Sequence, residues 1–385
     1  MLRKLIFWLH LCSGVVAGVV VLMMSLTGVV LTYERQMVAQ QDSHAYFAEP
    51  QPGQNRLSMG ALLAASPELG FTPDTVVVSA NPAAPVILRE GRAHTAHINP
   101  YSGAVYAPRT TGLDQFFASV RGWHRWFNVN GEGRANARIV TGTSNLLFLF
   151  LIVSGMYLWL PAVYRWSTMR VRLWFHPNAR GGQARDFNWH HVFGFWSAIP
   201  LAVIVATATV FYYPWANNLV YRLAGEEPPQ RGQAATPVLE VAAPQGGTVL
   251  PLETVLARVP EYAPQWRTVT ITLPKADSAL LELALDEGDG GQPQKRHTLR
   301  MDGYSGETLQ WLPFSSQSAG RQARSWVRFL HTGEALGIIG QTVAGLVSFF
   351  AVLMVWTGLA LSLRRFLRWR KRQSVRKAEL VGVTD

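Results

Sequence analysis

Four histidines stand at matched places in two halves of the chain. His10 opens the run H-L-C-S-G and His190 opens H-H-V-F-G, each with a glycine four residues on and each at the head of an apolar stretch. His124 and His331 each stand shortly before a further apolar stretch. Histidine inside or against a bilayer is rare and marks function. A duplicated set of four is the donor set of a metal or haem site. Neutral imidazole is the usual axial ligand of a b-type haem, and facing helices of a bundle supply such ligands from inward positions. Gly14 and Gly18 follow His10 by four and eight residues, and Gly194 and Ala198 follow His190 in the same way. That places small residues beside each imidazole, where a flat macrocycle needs room. Without the histidines, Gly14-x-x-x-Gly18 is equally a helix-packing face.

Zinc and copper also accept imidazole. Two histidines per level are too few for a closed zinc site, and no carboxylate falls at a matched position. His191 lacks the four-residue spacing to Gly194 and ranks below its neighbour as a ligand. His94 and His97 read as surface residues of a strand, facing opposite sides. His44, His176 and His297 have no partner in the sequence and take no role.

The elements that must position these histidines are membrane spans. Residues 5–32, 139–163, 187–215 and 335–363 contain no charged side chain, and each run exceeds the ~20 residues that cross a hydrocarbon core. The first run is too long for a signal peptide and has no small-x-small site before Tyr33, so it reads as an uncleaved anchor. With both termini cytoplasmic, Met1–Lys4, the 164–186 loop and the 364–385 tail face inward. They hold 15 Lys/Arg and three acids, against 20 and 21 in the remainder. The formal net charge of +11 is therefore a positive-inside signature rather than a nucleic-acid footprint. The basic tail suits anionic lipid headgroups. Cys12 is the only cysteine, which excludes an intramolecular disulfide and any thiolate cluster.

The expected architecture is membrane α-helical, with four transmembrane helices in a twofold internal repeat and two small periplasmic α+β units. The segments are transmembrane helix 1 (5–33), external unit 1 (34–123), a haem-proximal segment (124–138), helix 2 (139–163), a cytoplasmic loop (164–186), helix 3 (187–215), external unit 2 (216–330), a haem-proximal segment with helix 4 (331–363), and the tail (364–385). His10 precedes Thr27-Gly28 by 17 residues, as His190 precedes Thr207-Ala208. Gly142 and Gly155 are spaced as Gly345 and Gly358 are, with Ser154 and Thr357 before the second of each. Asn99-Pro-Tyr-Ser-Gly103 matches Asp302-Gly-Tyr-Ser-Gly306. In each external segment a helix (57–68; 252–262) precedes strands (75–80, 85–90, 94–100; 268–274, 279–286, 295–302), by alternation and β-branched content. Gln40–Arg56 and Gly225–Gln245 read as linkers.

Two crossings per half make the halves parallel, related by an axis along the membrane normal. His10 and His190 then meet at the cytoplasmic end, and His124 and His331 at the external end. The length of helix between His10 and Tyr33 is ~34 Å at 1.5 Å per residue. With the inside negative, outward electron movement is favoured by about 2.3 kcal/mol per 100 mV. Arg121 and Arg328 flank the outer histidines among tryptophans. They are candidates to pair with haem propionates, or form an interfacial Trp/Arg belt.

The H-x-x-x-G-x-x-x-G first span, W-H-R-W before the second, H-H-V-F-G in the third and L-H-T-G-E-x-L-G before the fourth resemble the PepSY-associated transmembrane family over nearly the whole chain. The two Y-S-G turns resemble its PepSY-like external units. Family members include iron-regulated, inner-membrane ferric-siderophore reductases with two b-type haems. The resemblance implies that His10, His190, His124 and His331 are the haem ligands. It also implies that a periplasmic iron(III) chelate is reduced and its iron released as Fe(II). Thr207-Ala208 departs from the Thr-Gly or Ser-Gly of the other spans. With no G-x-G-x-x-G after a strand, electrons would come from a separate cytoplasmic donor or from quinol. Two alternatives stand beside this one. One is a non-redox PepSY membrane protein that binds or inhibits a periplasmic partner such as a peptidase. The other is a haem relay to a different periplasmic acceptor.

Overall fold

The computed structural model describes residues 1–64, 69–91, 93–107, 111–177, 179, 181–230, 239, 241–274 and 277–381, the last seven as backbone only. In chain order the helices are α1 (Leu2–Leu31), α2 (Glu34–Tyr46), α3 (Met59–Ala64), α4 (Gly112–Trp126), α5 (Gly133–Trp159), α6 (Trp166–Leu173), α7 (Gly182–Tyr212), α8 (Pro214–Leu223), α9 (Leu252–Tyr262), α10 (Ala319–Thr332) and α11 (Gly337–Val381). The strands are β1 (Thr75–Ser79), β2 (Val86–Glu90), β3 (His94–Ile98), β4 (Val105–Tyr106), β5 (Thr268–Thr272), β6 (Leu280–Asp286), β7 (Arg296–Asp302) and β8 (Thr308–Leu312). They fall into two units.

The first unit comprises Met1–Tyr33, Phe116–Asn217 and Leu330–Asp385. Its frame is α1, α5, α7 and α11, four helices long and apolar enough to cross a membrane. Large apolar side chains such as Val16, Ile139 and Ile199 are exposed on their outer faces. A patch of that kind is tolerated in lipid and not in water. Polar side chains turn inward. Asn145 on α5 donates to the Val205 carbonyl (3.1 Å) and the Thr209 hydroxyl (2.9 Å) on α7, the interhelical hydrogen bonding that membrane bundles use as glue. At one end Asp186 is buried between Arg185 (2.9 Å) and Arg364 (2.6 Å).

The second unit comprises Glu34–Gln115 and Asn218–Phe329. The strands of the two external segments do not form separate sheets. They join in one antiparallel eight-stranded sheet, ordered β4-β3-β2-β1-β5-β6-β7-β8. The joint is β1 against β5, with Thr75 opposite Thr272 and Ser79 opposite Thr268. Alternate residues of the strands, including Val76, Val78, Leu88, Val269, Ile271, Leu283 and Leu299, build one core with Leu62 of α3 and Val255 and Val259 of α9. Pairing the β1–β4 half with the β5–β8 half through β1 and β5 removes two exposed strand edges at once.

The two Y-S-G turns match in chemistry. The Asn99 side-chain oxygen accepts from the Tyr101 and Ser102 amides (2.9 and 3.2 Å), and Asp302 accepts from Tyr304 and Ser305 (2.8 and 3.0 Å). Gly103 and Gly306 both adopt positive φ, 73° and 75°, which glycine alone reaches without cost.

Two expectations are corrected. The 40–56 linker begins inside a helix, because α2 runs to Tyr46, whose ring is buried and stacked on His97 at 4.1 Å. His97 is accordingly half-buried packing, not a surface side chain. The 57–68 helix is described over Met59–Ala64, and residues 65–68 lie outside the described part, as does much of the 225–245 stretch.

Candidate functional site

The four histidines are gathered within the first unit, two at each of two levels. His10 on α1 and His190 on α7 line one cavity of about 1200 Å³ in the bundle. Gly14, Gly18, Gly194 and Ala198 line it too. A Cβ at Gly14 or Gly194 would meet only Leu151 at 3.8 Å or the Met354 sulfur at 3.5 Å, whereas one at Gly18 would press on Leu359 of α11 at 3.3 Å, so Gly18 also serves helix packing. Apolar walls come from Leu151, Leu201, Ala351 and Leu359. His191 also lines the cavity, and its Nδ1 lies 2.8 Å from the Phe187 carbonyl of its own helix. Arg3, Arg172, Arg365 and Arg368 line the same cavity. Arg3 and Arg172 donate to carbonyls at the end of α5, so cations stand beside an otherwise apolar space.

At the other level His124 of α4 and His331 of α10 approach each other, their ring centres 6.3 Å apart and their planes at 59°. A first-row metal held at ~2 Å by each of two opposed imidazole nitrogens sets ring centres roughly 6 Å apart. Burial first, with His331 second, pushes His124 down to about 4, and burial lowers His331. Both rings are thus held neutral, the form that ligates metal.

All four histidines engage a hydroxyl on another helix through Nδ1. His10 meets Ser154 at 2.8 Å, His190 meets Thr357 at 3.1 Å, His124 meets Thr27 at 3.0 Å and His331 meets Thr207 at 3.4 Å. Each hydroxyl donates its own proton to the carbonyl four residues back: Phe150, Leu353, Met23 and Val203. Its oxygen is then left to accept from Nδ1–H. His190 and His331 have a second partner that can only accept, the carbonyls of Met354 (3.1 Å) and Ile204 (2.9 Å), and His124 has one in the Met24 carbonyl. The network therefore assigns the proton to Nδ1 in every case and leaves the Nε2 lone pair for a ligand.

The sequence marked these hydroxyls only as spacing in the repeat. The glycine that follows each has a matching role. A Cβ at Gly155, Gly358 or Gly28 would meet Cε1 of His10, His190 or His124 at 3.2, 3.3 and 3.6 Å. The fourth position is Ala208, and there the hydroxyl contact is the longest of the four.

The four spans and the segments that carry these histidines and hydroxyls coincide with the extent of a known family model. The chain belongs to the PepSY-associated TM region family. The match covers residues 7–365, so all four histidines and all four hydroxyls lie inside it. Comparison with curated proteins gives no match.

The donor set fits a b-type haem at each level. Among the described residues no three His, Cys, Asp or Glu side chains gather to hold a bare metal ion. Two imidazoles with free Nε2 suit a metal whose other positions a macrocycle fills. His10 and His190 would hold one, and His124 and His331 the other, with Gly14 and Gly194 leaving room for the first.

The flanking arginines are placed differently from expectation. Arg328 is exposed, with its guanidinium over the Phe329 ring. Arg121 is exposed as well, and forms a group with Arg125, Arg134 and Arg138. Arg125 and Arg134 lie over the same Trp126 ring, at 4.7 and 3.9 Å. Burial, and behind it these three neighbouring charges, lower the proton affinity of Arg125. Four guanidiniums thus gather around Arg125, which neighbours His124, and Arg134 and Arg138 are the members the sequence did not mark.

Proposed function

We propose that this multi-pass membrane protein is a two-haem electron-transfer reductase of the bacterial inner membrane, with both termini in the cytoplasm. In this reading the sheet unit is a fused pair of PepSY-like units in the periplasm. The acceptor is a ferric siderophore, and the donor is a separate cytoplasmic protein or quinol. A haem at each level would supply one-electron redox chemistry. The chain's own residues hold the His124 and His331 imidazoles neutral, fix which nitrogen of all four rings is free, and surround the His10/His190 level with an apolar cavity. Arg125 and its neighbours favour an anionic chelate beside His124.

The observation that carries this reading is the uniform state of the four histidines. Histidines serving only as interfacial hydrogen-bond groups have no reason to present the same free nitrogen four times. A metal-ligating histidine has one, because its other nitrogen is almost always held by an acceptor. The test is a reduced pyridine haemochrome spectrum of the purified full-length chain. Two haems per chain are expected. A colourless protein would end this reading and leave the non-redox binding role. Reoxidation of the reduced protein by ferric chelates then separates siderophore reduction from a relay to another acceptor.

A further inference from the structure

The Ser/Thr-Gly pairs do more than pack helices. We infer that Ser154, Thr357, Thr27 and Thr207 are positioning residues that fix the protonation of the four histidines and set their strength as donors, and that the control is unequal, being greatest at Ser154. The inference rests on the proposed haem-binding reading and extends it to residues that act through the histidine rings they hold.

The four contacts obey one rule and cross between helices in a fixed pattern. In the first half, α1 carries His10 near its start and Thr27 near its end, while α5 carries Ser154. In the second half, α7 carries His190 and Thr207, while α11 carries Thr357. Each even-numbered crossing thus holds the ring from the preceding odd-numbered one, and each odd-numbered crossing holds the ring from the short helix that follows it. Each hydroxyl sits at the head of a relay that runs from Nδ1–H to Oγ and from Oγ–H to the backbone carbonyl. Such a relay pulls electron density toward Nε2 and makes the imidazole a stronger donor. A carbonyl can replace a hydroxyl in this task, and three rings have one in place: Met354 for His190, Ile204 for His331 and Met24 for His124. For His10 the Ser154 hydroxyl is the partner the structure gives. Loss of the hydroxyl therefore frees the His10 ring to rotate and change tautomer, whereas the His190 ring stays held.

The experiment compares Ser154→Ala, Ser154→Thr and Thr357→Ala in the purified full chain. It reads haem count, haem affinity, midpoint potential and the ferric EPR spectrum. Haem at the His124/His331 level serves as an internal control for folding. Ser154→Ala is expected to weaken haem binding at the His10/His190 level by ~10–100-fold, the usual effect of removing such a partner. The potential of the haem that remains should rise, because a weaker donor favours the ferric state less. Ser154→Thr should restore both. Thr357→Ala should show a clearly smaller loss. Equal losses from Ser154→Ala and Thr357→Ala, or an unchanged affinity and potential in Ser154→Ala, would overturn the inference. An unmodified chain without haem would instead overturn the reading beneath it.

Discussion

His124 and His331 face each other with ring centres 6.3 Å apart while their Nδ1 atoms are held on different helices, by Thr27 of α1 and by Ile204 and Thr207 of α7. The pair is assembled from both halves of the repeat, so neither ring can form a two-imidazole site alone. Replacing His124 or His331 with alanine is expected to remove one haem per chain and leave the His10/His190 haem with its spectrum intact. The pyridine haemochrome count reads this directly. Loss of both haems, or of neither, would contradict the pairing.

The membrane half was legible because its signals are local. Uncharged runs mark the four helices, and the distance from His10 to Thr27 repeats from His190 to Thr207. The strands were visible through alternation, and the 252–262 helix matches α9. The joining of β1 to β5 was not legible, since pairing across nearly 200 residues leaves no local pattern in either strand. The hydroxyl contacts were half-legible. Ser154 and Thr357 stood out by position, but a threonine on a membrane helix most often bonds its own backbone. Only the placement of His10 and His190 shows that each oxygen also accepts from a ring. The stacking of Tyr46 on His97 escaped for the same reason, as a contact between an assumed linker and an assumed surface histidine.

The open space around Gly194 gives a second test. Its nearest neighbour for a new Cβ is the flexible Met354 sulfur at 3.5 Å, so a side chain is accepted there but must extend into the cavity. Gly194→Leu is expected to exclude haem from the His10/His190 level while raising helix propensity by about 1 kcal/mol. One haem per chain and an undiminished thermal midpoint are the expected results. Full haem occupancy at both levels would show that the cavity is not the haem's place.

Arg125 and Arg134 share the Trp126 ring, and their charges should act on an incoming acceptor through the field they project. The double variant Arg125→Gln/Arg134→Gln is expected to slow reoxidation of the reduced protein by ferric citrate roughly tenfold or more at low salt. The effect should shrink as salt screens it. Reoxidation by a cationic ferrioxamine should change little or improve. If the variant instead loses a haem, the arginines hold haem carboxylates rather than attract a chelate.

The matched turns offer a pH test with an internal control. Amides of Ser305 and Tyr304 hold the Asp302 carboxyl below its usual range. A carboxylate with a lowered folded pKa contributes stability above its unfolded value and loses it as pH falls through the folded one. Hydrogen exchange at the Tyr304 and Ser305 amides should therefore quicken, relative to Tyr101 and Ser102, as the pH drops below about 4. The Asn99 turn does not titrate and supplies the reference. Asp302→Asn should abolish the difference, and a pH response that survives it would assign the effect elsewhere.

Ala208 occupies the place that glycine fills beside the other three histidines, and the Thr207–His331 separation of 3.4 Å exceeds the 2.8–3.1 Å of its counterparts. A Cβ at Gly155 or Gly358 would approach the neighbouring ring to 3.2 or 3.3 Å, so the Ala208 methyl is expected to crowd the His331 ring in the same way. Ala208→Gly is expected to let the ring close on Thr207 at a cost of about 1 kcal/mol in helix stability. The His331 imidazole then becomes a stronger donor, so the potential of the haem it shares with His124 should fall. Subsequent Thr207→Val should cancel that fall, because no hydroxyl remains to accept. A potential unmoved by Ala208→Gly would show that the Ile204 carbonyl alone already sets the state of His331.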